Sequence, residues 1–170
     1  MNELAITVIG QDRPGIVADV AEVLAGLGAN LTDSTMTRLR GHFAMTLVCS
    51  GPAVADVETA LEPLTADGQL LATVRAVRSD GQASQAGEPY LMSVYGADRL
   101  GIVAAVTRVL AESGGSVTDL TTRLTGPLYV LIAEVELAPD VEEQVSARLA
   151  EVAARLDVEV TLRRSESDVL

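Results

Sequence analysis

The chain has 170 residues, 24 acidic and 12 basic, and a formal net charge of -12. Every basic residue is Arg, so a Schiff-base lysine, a pyridoxal phosphate anchor and a P-loop lysine are excluded, while one His (His42) and one Cys (Cys49) exclude the usual four-ligand zinc site and an internal disulfide. A pI near 4.4 and only four aromatic side chains argue against direct nucleic-acid binding, which needs clustered cations and stacking platforms.

Leu4–Ile9 alternates branched apolar residues and reads as a strand. Asp12-Arg13-Pro14-Gly15 is a turn, with Pro14 expected in the first helical turn, where its missing N–H costs nothing. Ile16, Val17, Val20, Val23, Leu24 and Leu27 then form one helical stripe, which Gly28 ends. Leu31–Leu39 and His42–Ser50 read as strands around an Arg40-Gly41 turn. On the second of these, Phe43, Met45, Leu47 and Cys49 share a face, so Cys49 is expected in the core. His42 and Cys49, seven apart, are expected on opposite faces, which disfavours a Cys–His catalytic pair. Val54, Val57, Leu61 and Leu64 mark a second helix, and Leu70–Val77 a last strand.

A small, polar run at residues 79–88 reads as a linker. Beyond it the pattern returns: strand Tyr90–Tyr95, helix Gly101–Ser113, and strands Ser116–Leu124 and Leu128–Leu137. A helix through Val141, Val145, Leu149 and Val152 and a strand Val158–Arg163 complete it, before a tail at 165–170. Gly10–Asp33 and Gly96–Asp119 are identical at 14 of 24 ungapped positions, at an offset of 86. That marks an internal duplication. A one-residue deletion is expected after it, matching Gly41 to Gly126. The domains expected are 1–78 and 89–164, in the α+β class. Each is a ferredoxin-like βαββαβ unit, a four-stranded antiparallel sheet with two helices on one face. Units this small bury little surface and are expected to pack on each other or on another chain.

The Asp12-Arg13-Pro14-Gly15-Ile16-Val17 loop, with Gly28-Ala29-Asn30-Leu31-Thr32-Asp33 after the helix, resembles the ACT domain. The second copy reads Asp98-Arg99-Leu100-Gly101-Ile102-Val103 and Gly114-Gly115-Ser116-Val117-Thr118-Asp119. The resemblance implies a small-molecule sensing module, mostly for amino acids. A chain of two such domains is similar to the glycine cleavage system transcriptional repressor group, which is thought to act through a partner protein. In ACT domains the two segments line one end of the ligand cleft, and a neighbouring domain closes it.

Carried over residue by residue, the ligand-binding candidates are Asp12, Arg13, Pro14, Gly15, Ile16 and Asn30. Asp98, Gly101, Ile102 and Ser116 form the second copy. A carboxylate would meet free N–H groups at a helix start, where Gly15 lets it approach closely. An ammonium would meet Asp12 and Asn30. Three departures weaken the match: Asp stands where amino-acid-binding members often carry Asn, Ser116 shortens the reach that Asn30 has in the first copy, and Leu100 replaces the proline. The plainer alternatives stay open: Asp12 as a helix cap, Arg13 as a solvated charge, Asp33 and Asp119 satisfying local backbone groups.

The function expected is a non-enzymatic regulator that binds an amino acid at domain interfaces. It would act on a protein partner, in transcriptional regulation of amino-acid metabolism. The alternatives are a ligand-independent interaction module and a trans-acting subunit of an amino-acid biosynthetic enzyme. No cofactor, metal or catalytic residue is expected. A homo-oligomer is, through pairing of open sheet edges. No apolar run approaches the roughly 20 residues of a membrane span, and Met1-Asn2-Glu3 starts no signal peptide, so a cytoplasmic location is expected.

Overall fold

A computed structural model describes residues 3–78 and 87–165, so most of the expected linker and all but the first residue of the expected tail lie outside the described residues. The chain forms two compact units, 1–82 and 83–170. Unit 1 holds β1 (Glu3–Gln11), α1 (Ile16–Gly26), β2 (Asn30–Leu39), β3 (His42–Ser50), α2 (Val54–Thr65) and β4 (Leu70–Val77). Unit 2 holds β5 (Glu88–Ala97), α3 (Ile102–Glu112), β6 (Ser116–Thr125), β7 (Leu128–Leu137), α4 (Glu142–Leu156) and β8 (Val158–Arg164). The sheets have strand orders β2-β3-β1-β4 and β6-β7-β5-β8, all neighbours antiparallel. This is βαββαβ written twice.

The central strands show why the chain folds so. Along β1, Leu4, Ile6 and Val8 are buried and alternate with more accessible residues. Along β3, Phe43, Met45, Leu47 and Cys49 do the same. Strict alternation gives the sheet one apolar face. Ile16, Val20 and Leu24 of α1 and Val57 and Leu61 of α2 cover that face. Unit 2 repeats the arrangement around Met92, Val94, Leu131 and Val135, under α3 and α4. His42 is exposed and Cys49 fully buried, on opposite faces of β3.

Two details differ from the sequence reading. The β2–β3 turn holds residues 40 and 41, and the β6–β7 turn holds 126 and 127, because Leu39 pairs with His42 and Thr125 with Leu128. The offset of 86 therefore runs unbroken through the hairpin, and Gly41 matches Pro127 rather than Gly126. The glycines drifted within a turn of fixed length. Second, α1 begins at Ile16 behind Gly15, so Pro14 lies outside the helix. Gly15 has φ 86 and ψ -7, the conformation of the third residue of a type II turn, and Pro14 occupies the preceding position that proline favours. Leu100-Gly101 makes the same turn with φ 86 and ψ 9.

Candidate functional site

The β1–α1 loop is held from three sides. At its start, Gly10 crosses β4 so closely that a Cβ would collide with the carbonyl oxygen of Gln69 and come within 2.8 Å of Leu70 Cδ2. At Gly96 a Cβ would come within 2.8 Å of Val158 Cγ1. The first glycine of the repeated loop therefore serves strand packing. Next, the Asp12 N–H donates to the Gly41 carbonyl at 3.0 Å, tying the loop to the β2–β3 turn. Finally Gly15, in its left-handed conformation, turns the chain into α1.

The first N–H groups of α1 have no intrahelical acceptor, as in any helix, and no side chain caps them. The capping role open to Asp12 is not the one it takes. Its carboxylate accepts from Arg38 Nη1 at 3.2 Å instead. Arg38 sits near the end of β2, and its side chain is 68% exposed against 27% for Asp12. Arg13 reaches Asp19 in the first turn of α1 at 2.6 Å, so it is paired rather than simply solvated. The free N–H groups at the start of α1 are thus accompanied by two exposed guanidiniums, Arg13 against Asp19 and Arg38 against Asp12. Ile16 is buried and anchors the helix start.

Asn30 does not join this group. It pairs with Ser50 at the far end of β3, whereas Asp12 lies against the turn at the near end. The ten residues of β2 separate them, roughly 30 Å at about 3.3 Å per residue. Within one unit the two segments therefore do not line one end of a cleft, because α1 and β2 run between them. Ser116 likewise pairs with Glu136, away from Asp98, Gly101 and Ile102. Ser116 borders a hollow of about 120 Å³ together with Gly87, Gly114, Glu136, Leu137, Ala138 and Pro139.

The second loop copies the backbone and changes the charges. Leu124 stands where Arg38 stands in unit 1, and among the described residues Asp98 forms no ion pair. Arg99 reaches Asp157 at 3.4 Å, and Leu100 is 99% exposed.

Sequence reasoning missed Arg38, whose place opposite Asp12 depends on hairpin register. It also left open that Asp33 and Asp119 satisfy local backbone groups near the start of β2 and of β6. A bulge lies between Leu31 and Asp33, and again between Val117 and Asp119. The extra residue, Thr32 or Thr118, donates its hydroxyl to the carbonyl of Val48 or Glu134, each at 3.2 Å. Threonine, not Asp33 or Asp119, satisfies the backbone there.

The duplicated βαββαβ unit, with a glycine-led loop before its first helix, defines a tandem ferredoxin-like protein. A family model for the ACT domain matches residues 2–74 and again 88–163. The chain belongs to the ACT-domain family. A UPF0237 protein of Methanopyrus kandleri is 50% identical over 48 residues, 28% of this chain and 53% of that one, so the match spans about half of the relative's length. The crystal structure of an unknown protein from Galdieria sulphuraria matches with a TM-score of 0.83 and 29% identity, over 97% of this chain and 99% of that chain. A candidate glycine cleavage system transcriptional repressor matches with a TM-score of 0.74 and 21% identity, over 98% of both chains. At that identity the likeness is one of fold. Among the described residues, no helix is long and apolar enough to cross a membrane.

Proposed function

We propose that this chain is a non-enzymatic regulatory protein that senses an amino acid at the β1–α1 loop of unit 1. On this reading it acts on a partner protein, and through that partner on transcription of genes of amino-acid metabolism, in the cytoplasm and as a homo-oligomer. The observation that carries the reading is the Arg38–Asp12 pair beside the uncapped start of α1. A zwitterion needs a cationic site and an anionic site a few ångströms apart. Arg38 and the free N–H groups suit its carboxylate, and Asp12 suits its ammonium. Asn30 takes part only as the contribution of a different domain, because its own unit holds it at the far end of β2. Residues 79–88 serve as the linker between domains 1–78 and 89–164.

The second loop favours another role. With Leu124 in place of Arg38 and Leu100 fully exposed, it offers an apolar surface, and its own guanidinium, that of Arg99, lies against Asp157 rather than Asp98. Asp98, Gly101, Ile102 and Ser116 are then inherited scaffold, and unit 2 is an interaction module.

A thermal-shift screen of the twenty amino acids tests the proposal. A ligand at 100 times its Kd raises stability by about 2.7 kcal/mol. Arg38→Ala abolishes the shift and costs the unliganded protein at most about 1 kcal/mol, since the pair is exposed. Silence with all twenty at millimolar concentration overturns the amino-acid reading.

A further inference from the structure

The face of the second sheet away from α3 and α4 carries its charges at four corners. Cross-strand register sets its residues in rows that run β8, β5, β7, β6. One row is Arg163, Leu91, Glu134 and Asp119; the next is Thr161, Ser93, Ile132 and Thr121; the third is Glu159, Tyr95, Val130 and Arg123. Directly opposite residues share a face. The outer strands therefore hold Arg163 and Glu159 on one side, Asp119 and Arg123 on the other. Each corner is opposite in sign to both of its neighbours. Glu134 lies beside Asp119 and reinforces that negative corner.

All four corner residues are exposed, and none forms an ion pair among the described residues. Between them Leu91, Tyr95 and Ile132 stay 42%, 40% and 41% exposed, beside the hydroxyls of Ser93, Thr161 and Thr121. A hollow of about 310 Å³ runs along β5 and β8 over these residues. Exposed apolar area rimmed by charge is what an interaction surface shows.

The layout is complementary to itself. Lay a second copy of the face over the first by a two-fold axis along the strands, and Arg123 meets Glu159 while Asp119 meets Arg163. Use the two-fold across the strands, and Arg123 meets Asp119 while Glu159 meets Arg163. Either way every corner finds an opposite charge, which is the condition for an isologous contact. Packed sheets lie about 10 Å apart, a gap that Arg and Glu side chains can reach across.

The open face of the first sheet fits less well. There Arg75 and Asp33 repeat Arg163 and Asp119, but Leu71 stands in the place of Glu159 and Thr37 in that of Arg123. It answers two corners of the four. We propose that the open face of the second sheet docks the same face of a second copy, forming a two-fold dimer by sheet-to-sheet contact rather than by pairing of strand edges. None of its residues belongs to the β1–α1 loops, so the dimer stands or falls apart from ligand sensing.

Sedimentation of the full chain from micromolar to millimolar concentration tests this. The wild type shows a monomer–dimer equilibrium that weakens with added salt. Arg123→Glu raises the dissociation constant at least tenfold with an unchanged melting temperature. Adding Glu159→Arg or Asp119→Arg to that variant restores the dimer, and the one that does so names the axis. A wild type that stays monomeric, a dimer indifferent to Arg123→Glu, or failure of both double variants to restore it overturns the proposal.

Discussion

Two glycines of the first repeat lack a side chain for different physical reasons, and a third has neither reason. Gly15 has φ 86, and a Cβ there would meet nothing within 4 Å. Gly15→Ala therefore costs only left-handed backbone strain, about 1–2 kcal/mol. Gly10→Ala drives a Cβ into the backbone of β4 and costs more, because the carbonyl of Gln69 cannot swing aside as a side-chain end can. Gly26 closes α1, also with nothing within 4 Å of a Cβ, and Glu112 occupies its place in the second repeat. Gly26→Ala is expected to stabilise by up to about 1 kcal/mol through helix propensity. For a domain of this size 1 kcal/mol moves the melting temperature by about 4–8 °C. Calorimetric melts of the unliganded chain should thus order the variants Gly26→Ala, wild type, Gly15→Ala, Gly10→Ala, from most to least stable. Gly15→Asn should lose less than Gly15→Ala, since Asn tolerates that conformation. If Gly15→Ala melts with the wild type, the turn does not require glycine, and the loop's glycine must be explained by ligand approach alone.

Three further outcomes follow from the geometry. Leu100→Pro should stabilise unit 2 by about 0.4–1 kcal/mol, because Pro14 holds the same turn in unit 1; a loss of melting temperature would show that the loops differ. Tyr90 is buried and lies within hydrogen-bonding distance of Glu142 and Glu88, at 3.1 and 3.2 Å, and its phenol is pushed up to about 12, first by burial and then by those carboxylates. Its unfolded value is about 10, so the stability from the neutral phenol is complete below that pH and is lost between about pH 10 and 12. Denaturant melts across that window should show the loss in the wild type and a smaller one in Tyr90→Phe; identical profiles would refute the assignment. Cys49 is fully buried, and burial pushes its thiol up, so thiol reagents should label it only on unfolding. Rapid labelling of the native protein would contradict the packing of β3.

The fold was legible because its signals are local. Alternation along β1 and β3 and the stripe of α1 need only neighbouring residues to be recognised, and the repeat at an offset of 86 needs only a comparison of the chain with itself. The site was less legible because its geometry depends on register. That Arg38 faces Asp12 follows from the two-residue turn at 40 and 41, which the sequence reading shifted by one in the second copy. That Asn30 lies far from Asp12 follows from the direction of β2, which the linear motif conceals. The bulge residue was hidden for the same reason: an Asp after a Thr looks like the polar group of interest until the ladder shows which one is left over.

The bulge also marks where the repeat can change cheaply. In a regular strand, losing one residue inverts every position upstream of the loss. At Thr32 and Thr118 a residue already stands outside the ladder, so an insertion or deletion there re-aims only the two residues before it. Those residues are Asn30 and Leu31 in one copy and Ser116 and Val117 in the other. The entrance of β2 is thus the joint at which the two copies can take up different side chains while the sheet behind it keeps time.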